Sequence, residues 1–119
     1  MGDHDRDLDA LLPLKRAWLH ILLALADGPS HGYAIRNHVE ERTDGRVKLW
    51  PATLYGSIRQ LEEEGLIRET EGEADPEEDD DRRRYYDLTP RGHDVLEAEV
   101  DQLQELVDTA RASRAFRNA

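Results

Sequence analysis

The first part of the chain predicts two helices. The first runs from Leu11 to Leu25, where apolar residues recur at helical spacing. Asp27-Gly28-Pro29 follows, and it is expected to end this helix because glycine favours a helix C-terminus and proline cannot continue one. Ser30 is expected to cap a second helix, from His31 to about Arg42. The positions of this helix available to the core are Tyr33, Ile35 and Val39.

A third helix is predicted from Ala52 to Glu64, with Pro51 in its first turn and Gly65 at its end,. Its apolar stripe is Leu54, Ile58 and Leu61. Before it, Thr43-Asp44-Gly45 is a turn signal, and residues 47–50 are expected to form a short extended segment.

The pattern then changes to that of two short strands, residues 66–70 and 84–88. Joined by a long loop, they predict an antiparallel hairpin. Thr89 is expected to cap a long final helix that has Pro90 at its first position. Along this helix the apolar residues recur at steps of four and three, which is the pattern of a helix-pairing seam. The seam residues are Leu96, Val100, Leu103, Val107 and Ala110.

This order of elements is that of a winged helix-turn-helix: mainly α, with a small β-hairpin wing and a long C-terminal helix. We expect a loose acidic arm at residues 1–10, a winged-helix DNA-binding domain at 11–88 with its wing tip at 71–81, and a dimerisation helix at 89–119. A recognition helix reads bases mainly from its N-terminal turns. The third helix therefore supplies the candidate base contacts, which are Ala52, Thr53, Tyr55, Gly56, Arg59 and Gln60. Small residues there, Ala52, Gly56 and Ser57, would let the helix approach the groove closely.

The overall charge argues at first against a nucleic-acid partner, because 16 basic residues face 27 acidic ones, for a net charge of −11. The distribution changes this picture. Eight of the acidic residues lie in the wing tip, at 71–81, whereas residues 30–70 carry six basic and seven acidic groups. Carboxylates at the tip would repel phosphates. Either the tip swings clear and the arginines at its base contact DNA, or this wing does not touch DNA. The expected phosphate contacts are Arg36, Arg46, Lys48, Tyr55, Arg59, Arg82, Arg83 and Arg84.

Other classes of function find little support in the sequence. There is no cysteine, and His31 and His38 are too far apart on one helix to share an ion without further ligands. No metal site, cofactor or catalytic residue is predicted, and the protein is not expected to be an enzyme. Its longest apolar stretch is too short to span a bilayer, so we expect a cytoplasmic protein without a membrane partner.

Four separate blocks resemble the PadR-like family of transcriptional regulators, in order and at suitable distances. They are Ser30-His31-Gly32-Tyr33-Ala34-Ile35, Pro51-Ala52-Thr53-Leu54-Tyr55, residues 61–67 and residues 84–92. The resemblance covers roughly residues 12–92 and implies a winged-helix repressor, of the short form with a single C-terminal helix. It also implies that Thr53 and Tyr55 face DNA, that Gly32 allows tight packing and that Tyr33 contributes to the core.

The main hypothesis is a homodimer that binds double-stranded DNA at an inverted-repeat operator. The expected dimer contacts are the seam residues together with Leu14, Trp18 and Ile21. A small-molecule effector of unidentified chemistry is a further candidate partner, acting by changing the spacing of the two recognition helices. The alternative is an acidic protein-interaction module on the same scaffold, with weak or no DNA binding. The arginine-rich, carboxylate-rich composition fits either a high-salt cytoplasm or a GC-rich genome.

Overall fold

The computed structural model describes residues 8–71 and 84–117. The helices are α1 (Arg16–Leu25), α2 (Gly32–Arg42), α3 (Pro51–Glu63) and α4 (Pro90–Ala112), and the strands are β1 (Ser30–His31), β2 (Ile67–Glu71) and β3 (Arg84–Leu88). They follow one another as α1-β1-α2-α3-β2-β3-α4. The predicted fold class, a mainly helical winged helix-turn-helix with a small β-hairpin and a long C-terminal helix, is confirmed.

Helix α1 lies at the centre of the fold and contacts α2, α3, β3 and α4. Its residues Ile21 and Leu22 are fully buried, and Leu25 is nearly so. The prediction that this helix begins at Leu11 is wrong: residues 8–11 form a separate helical turn, and α1 begins only at Arg16. Pro13 lies in the gap, and proline has no N–H to donate to a preceding helical turn.

The start of α2 also differs from the prediction. Ser30 is not the cap, because it pairs with Tyr86 as part of β1. His31 is the cap instead, and its Nδ1 accepts a hydrogen bond of 3.0 Å from the Ala34 amide. Tyr33, expected in the core, is 44% exposed, whereas Ile35 and Val39 are fully buried.

The three strands form one antiparallel sheet in the order β1-β3-β2. In the predicted hairpin, Ile67 pairs with Leu88 and Glu71 pairs with Arg84. The third strand, β1, was not predicted, because two residues are too few to show an alternating pattern. Residues 47–50 join no strand, although Leu49 among them is buried.

The first residues of α4 are hydrogen-bonded to the turn that follows α3. Thr89 caps α4 as predicted, since its side chain accepts from the Gly92 amide, and its hydroxyl also donates to the Gly65 carbonyl at 2.6 Å. Arg91 donates to the Glu64 carbonyl at 3.0 Å. Gly65 itself has a φ of +74°, a conformation that glycine adopts without steric cost. The direction of the hairpin is therefore tied to the first turn of α4.

No helix within the described ranges is long and apolar enough to cross a membrane.

Candidate nucleic-acid interface

The outer surface of α3 is the candidate base-reading surface. Ala52, Thr53 and Arg59 are exposed and Gly56 is half-buried, on the face opposite the buried Leu54, Ile58 and Leu61. Ser57 is an exception, because only 7% of it is exposed; it packs inward and does not belong to the outer surface. The first eight residues of the helix carry no charge, so shape and uncharged polar groups dominate the end that is expected to enter a groove.

Tyr55 fixes the position of α3 against α2. Gly32 begins α2, and a Cβ built on it would lie 3.0 Å from Cε1 and 3.2 Å from the hydroxyl of Tyr55. The close packing expected of Gly32 therefore has a specific partner in the Tyr55 ring. Tyr55 is half-buried against the core, and this leaves only part of the ring on the surface.

Gln60 is exposed, but its side chain also contacts α1. Its side-chain oxygen accepts a hydrogen bond of 3.2 Å from the indole N–H of Trp18 on α1. A glutamine that reads adenine uses its oxygen and its NH₂ group together. In this arrangement the oxygen already has one partner, whereas the NH₂ group is not used by that hydrogen bond.

The expected phosphate-binding residues on α2 and in the segment between α2 and α3 differ in their surroundings. Arg36 is half-buried on α2. Arg46 is exposed, and its Nε donates to the Thr43 carbonyl at 2.9 Å, which fixes the base of the guanidinium. Lys48 is paired loosely with Glu40, with 3.9 Å between Nζ and Oε1 and a side chain 54% exposed. Exposed pairs of this kind are weak, so a phosphate could displace Glu40.

The base of the wing mixes both charges. Arg84 begins β3 directly opposite Glu71, and its positive charge acts to lower the pKa of Glu62. Burial and the nearby Glu69 carboxylate outweigh it, however, and the pKa of Glu62 is raised. Burial first, and then Glu62 and Glu69, likewise raise the pKa of the Tyr86 phenol. Part of the Arg84 charge is thus balanced within the wing. Arg82, Arg83 and the acidic tip at 72–81 lie outside the described residues.

The expected dimer residues fall into two groups. Leu14, Trp18, Ile21 and Leu96 are packed inside the chain, with exposed fractions of 8%, 7%, 0% and 7%. Three seam residues further along α4, in contrast, face solvent: Val100 is 43% exposed, Leu103 38% and Val107 49%. Ala110, the last residue of the seam, is half-buried. The surface open to a partner is therefore the C-terminal part of α4.

Three long-range hydrogen bonds had no signal in the sequence pattern. The side chain of Glu99 is 4% exposed in the middle of the apolar α4 surface, and it accepts a hydrogen bond from the Leu14 amide. The contact between Trp18 and Gln60 and the contact between Arg91 and Glu64 likewise join residues far apart in sequence. Only Thr89 could be identified beforehand, because a capping threonine before proline has a local signature.

Within the described parts of the chain, no group of three or more His, Asp or Glu side chains is arranged to hold a metal ion.

A helix-turn-helix followed by a β-hairpin is the arrangement of the winged-helix class. The chain belongs to the PadR-like family of transcriptional regulators, whose pattern matches residues 21–98. The predicted resemblance to this family of transcriptional regulators is thereby confirmed.

Solved structures of similar fold include other regulators. A PadR family transcription regulator from Clostridium difficile is 26% identical, with a TM-score of 0.65 over 82% of this chain and 95% of that one. A transcriptional regulator from Clostridium thermocellum is 27% identical, with a TM-score of 0.63 over 82% and 90%. RosR of H. salinarum is 27% identical, with a TM-score of 0.61 over 91% and 87%.

Among proteins compared by sequence, a 37.1 kDa protein in transposon TN4556 of Streptomyces fradiae is 38% identical over 103 residues. The match covers 87% of this chain and only 26% of that protein. Protein X of Lysinibacillus sphaericus is 28% identical over 91 residues, or 74% of this chain and 81% of that one.

Proposed function

We propose that this protein is a repressor that binds an inverted-repeat operator as a homodimer. The single observation that carries the dimer is the row of exposed apolar side chains at Val100, Leu103 and Val107 on α4. They recur at steps of three and four, which is the spacing of residues that interlock with a second helix. Large apolar side chains on one stripe of a helix are costly to leave in water.

Two-fold symmetry gives the operator its expected form. A dimer presents two copies of α3, and the two half-sites are then inverted and about one helical turn apart, roughly 34 Å. In each half-site Ala52, Thr53 and Gly56 approach the base edges, while Arg59 bonds to guanine or to phosphate. Arg36, Arg46 and Lys48 lie against the phosphates on either side. Repression follows if this operator overlaps a promoter.

A small-molecule effector would act on the same arrangement. Only one spacing of the two α3 helices fits the operator, so a ligand that favours another spacing releases the DNA. The part of α4 nearest the winged helix borders an open cavity of about 250 Å³, which supports this part of the proposal. Its lining is Ala26, Leu88, His93, Leu96, Glu97 and Val100.

Selection from a randomised DNA library, followed by a gel-shift titration, tests the proposal. The expected result is an enriched inverted repeat bound as two protomers per duplex, with an affinity that falls as salt rises. A reporter placed behind that repeat should be silenced by the protein. Enrichment of no sequence, together with capture of a basic protein partner, would favour the alternative of an acidic interaction module.

A further inference from the structure

Residues 46–50, which lead into α3, present two cations and an indole on one outer face. Exposure alternates along this segment: Arg46, Lys48 and Trp50 are exposed, while Val47 is half-buried and Leu49 is only 3% exposed. This period of two is that of an extended chain with one face on the protein. Trp50 is 62% exposed, which is unusual for the largest apolar side chain.

The backbone of this segment is held at both ends. At its start, the Val47 amide donates to the Thr43 hydroxyl at 3.0 Å. At its end, the Trp50 carbonyl accepts from the Leu54 amide at 2.8 Å and so opens α3, while the Leu49 side chain is fixed in the core. The outward side chains are therefore carried by an ordered backbone, and little backbone entropy remains to be lost there on binding.

The charge of the sequence from 45 to 61 points to an anionic partner, which would compete with the Glu40 carboxylate, 3.9 Å from Lys48 Nζ. No acidic residue occurs between Asp44 and Glu62, in a chain with 27 of them. That stretch contains Arg46, Lys48 and Arg59, and it also contains the exposed start of α3. A partner that contacts α3 through its N-terminal turns necessarily passes beside Trp50, because Trp50 is the residue at the N-cap of that helix.

We infer that Trp50 is a DNA-binding residue: its indole packs against the deoxyribose and base edge beside the groove that α3 enters, while Arg46 and Lys48 hold the adjoining phosphates. This inference rests on the proposed DNA binding and adds to it an apolar contact. An apolar contact contributes affinity that does not depend on counterion release, which matters for a protein with a net charge of −11.

The experiment compares Trp50→Ala, Trp50→Phe and Lys48→Ala on the duplex that the wild type selects, from low to high salt. Trp50→Ala should weaken binding roughly tenfold, as loss of a buried aromatic anchor does, and leave the salt slope unchanged. Trp50→Phe should recover most of this loss. Lys48→Ala should lower the magnitude of the salt slope by about two, one for each subunit of the dimer.

Fluorescence gives a second and independent measurement. The chain has two tryptophans, and Trp18 is only 7% exposed, so acrylamide quenching of the free protein reports mainly on Trp50. Adding the selected duplex should protect Trp50 from acrylamide. This measurement needs no substitution, and it therefore stands even where Trp50→Ala fails to fold.

The outcomes separate the two proposals. If the wild type selects no DNA, the proposed function fails. If it selects DNA, but Trp50→Ala binds within about twofold of the wild type and Trp50 stays open to acrylamide, the role of Trp50 is overturned and the function stands. Protection of Trp50 by a protein partner and not by DNA would overturn it as well.

Discussion

Trp18 and Gln60, 42 residues apart in sequence, are joined by a hydrogen bond of 3.2 Å from the indole N–H to the side-chain oxygen. It links α1, at the centre of the core, to the second half of α3. Trp18 is also covered by the Lys15 ammonium, 5.0 Å from the ring centroid. The candidate base-reading helix is therefore in direct polar contact with the core helix.

Removing the acceptor should weaken the fold modestly. Gln60→Leu leaves the indole N–H of Trp18 without its partner, and we expect a loss of about 1 kcal/mol in the free energy of unfolding. Gln60→Glu keeps an acceptor oxygen and should lose less. Urea denaturation followed by tryptophan emission measures both. Arg59→Ala, exposed on the same helix, is the control, and a loss there as large as in Gln60→Leu would contradict the assignment.

Gly92 is expected to be intolerant of any side chain. A Cβ on Gly92 would lie 1.9 Å from the Leu66 carbonyl oxygen, so α4 and the turn after α3 would have to separate. We expect Gly92→Ala to cost about 3 kcal/mol or more, as overpacking at a backbone contact does. Thermal unfolding by circular dichroism measures this loss.

Gly56 provides the matched control for Gly92. It also lies within a helix, but nothing stands within 4 Å of a Cβ built on it. Gly56→Ala should therefore stabilise the protein by about 0.5–1 kcal/mol, the helix-propensity difference between the two residues. Equal effects of the two substitutions would show that the contact between Gly92 and Leu66 is not the cause.

Stability should fall on mild acidification because of His20. Burial, and then the charges of Arg42 and Arg16, lower the pKa of His20 from 6.5. Arg42 Nη2 lies 3.0 Å from His20 Nδ1, where a protonated ring could not accept. The unfolded chain then binds more protons than the folded one below about pH 6.5, so this contribution to stability is complete above that pH and is lost as the pH falls further.

The His20 prediction can be checked by NMR titration of its ring protons together with urea denaturation at several pH values. Arg42→Gln removes one of the charges and should raise the pKa of His20 towards 6.5, which also flattens the pH dependence of unfolding. A His20 ring that titrates at or above pH 6.5 in the wild type would refute the prediction.

Glu99 is expected to hold the segment before α1 to α4. Its buried carboxylate accepts from the Leu14 amide, and Glu99→Leu would leave that amide unpaired, at a cost of about 1–3 kcal/mol. Glu99→Gln keeps an acceptor oxygen and should retain most of the stability. Hydrogen exchange at the Leu14 amide reports the contact directly, and slow exchange persisting in Glu99→Leu would count against it. Glu97→Gln, exposed on the same helix, is the control.

A charge in the seam should separate the proposed dimer. Val107→Glu places carboxylates from both subunits in a dry contact, where neither is paired, and a monomer is expected by sedimentation velocity at micromolar concentration. Operator affinity should fall at least tenfold, because the two half-sites are then bound independently. Gln102→Glu adds the same charge to an exposed position outside the seam and should remain dimeric. A Val107→Glu protein that stays dimeric would show that the α4 seam is not the dimer interface.

Local signals explain what the sequence by itself determined. Periodicity located α2, α3 and the hairpin to within a few residues, and the Thr89-Pro90 pair located the start of α4, because spacing and capping depend on neighbours in the chain. Four motif blocks identified the family. Trp18 and Leu96, in contrast, were expected at a dimer surface, since an apolar residue has the same pattern whether it faces its own core or a partner.

Only the tertiary structure decided those cases and the identity of the long-range partners. In the structure Trp18 lies in the core and donates a hydrogen bond to Gln60. Tyr33 is exposed, and Ser30 pairs with β3 and does not cap α2. Each outcome depends on which distant groups fill the remaining space and hydrogen-bonding capacity. The physical reason is that burial and hydrogen-bond pairing depend on the packing of the whole domain, whereas helix and strand patterns depend on residues close together in the sequence.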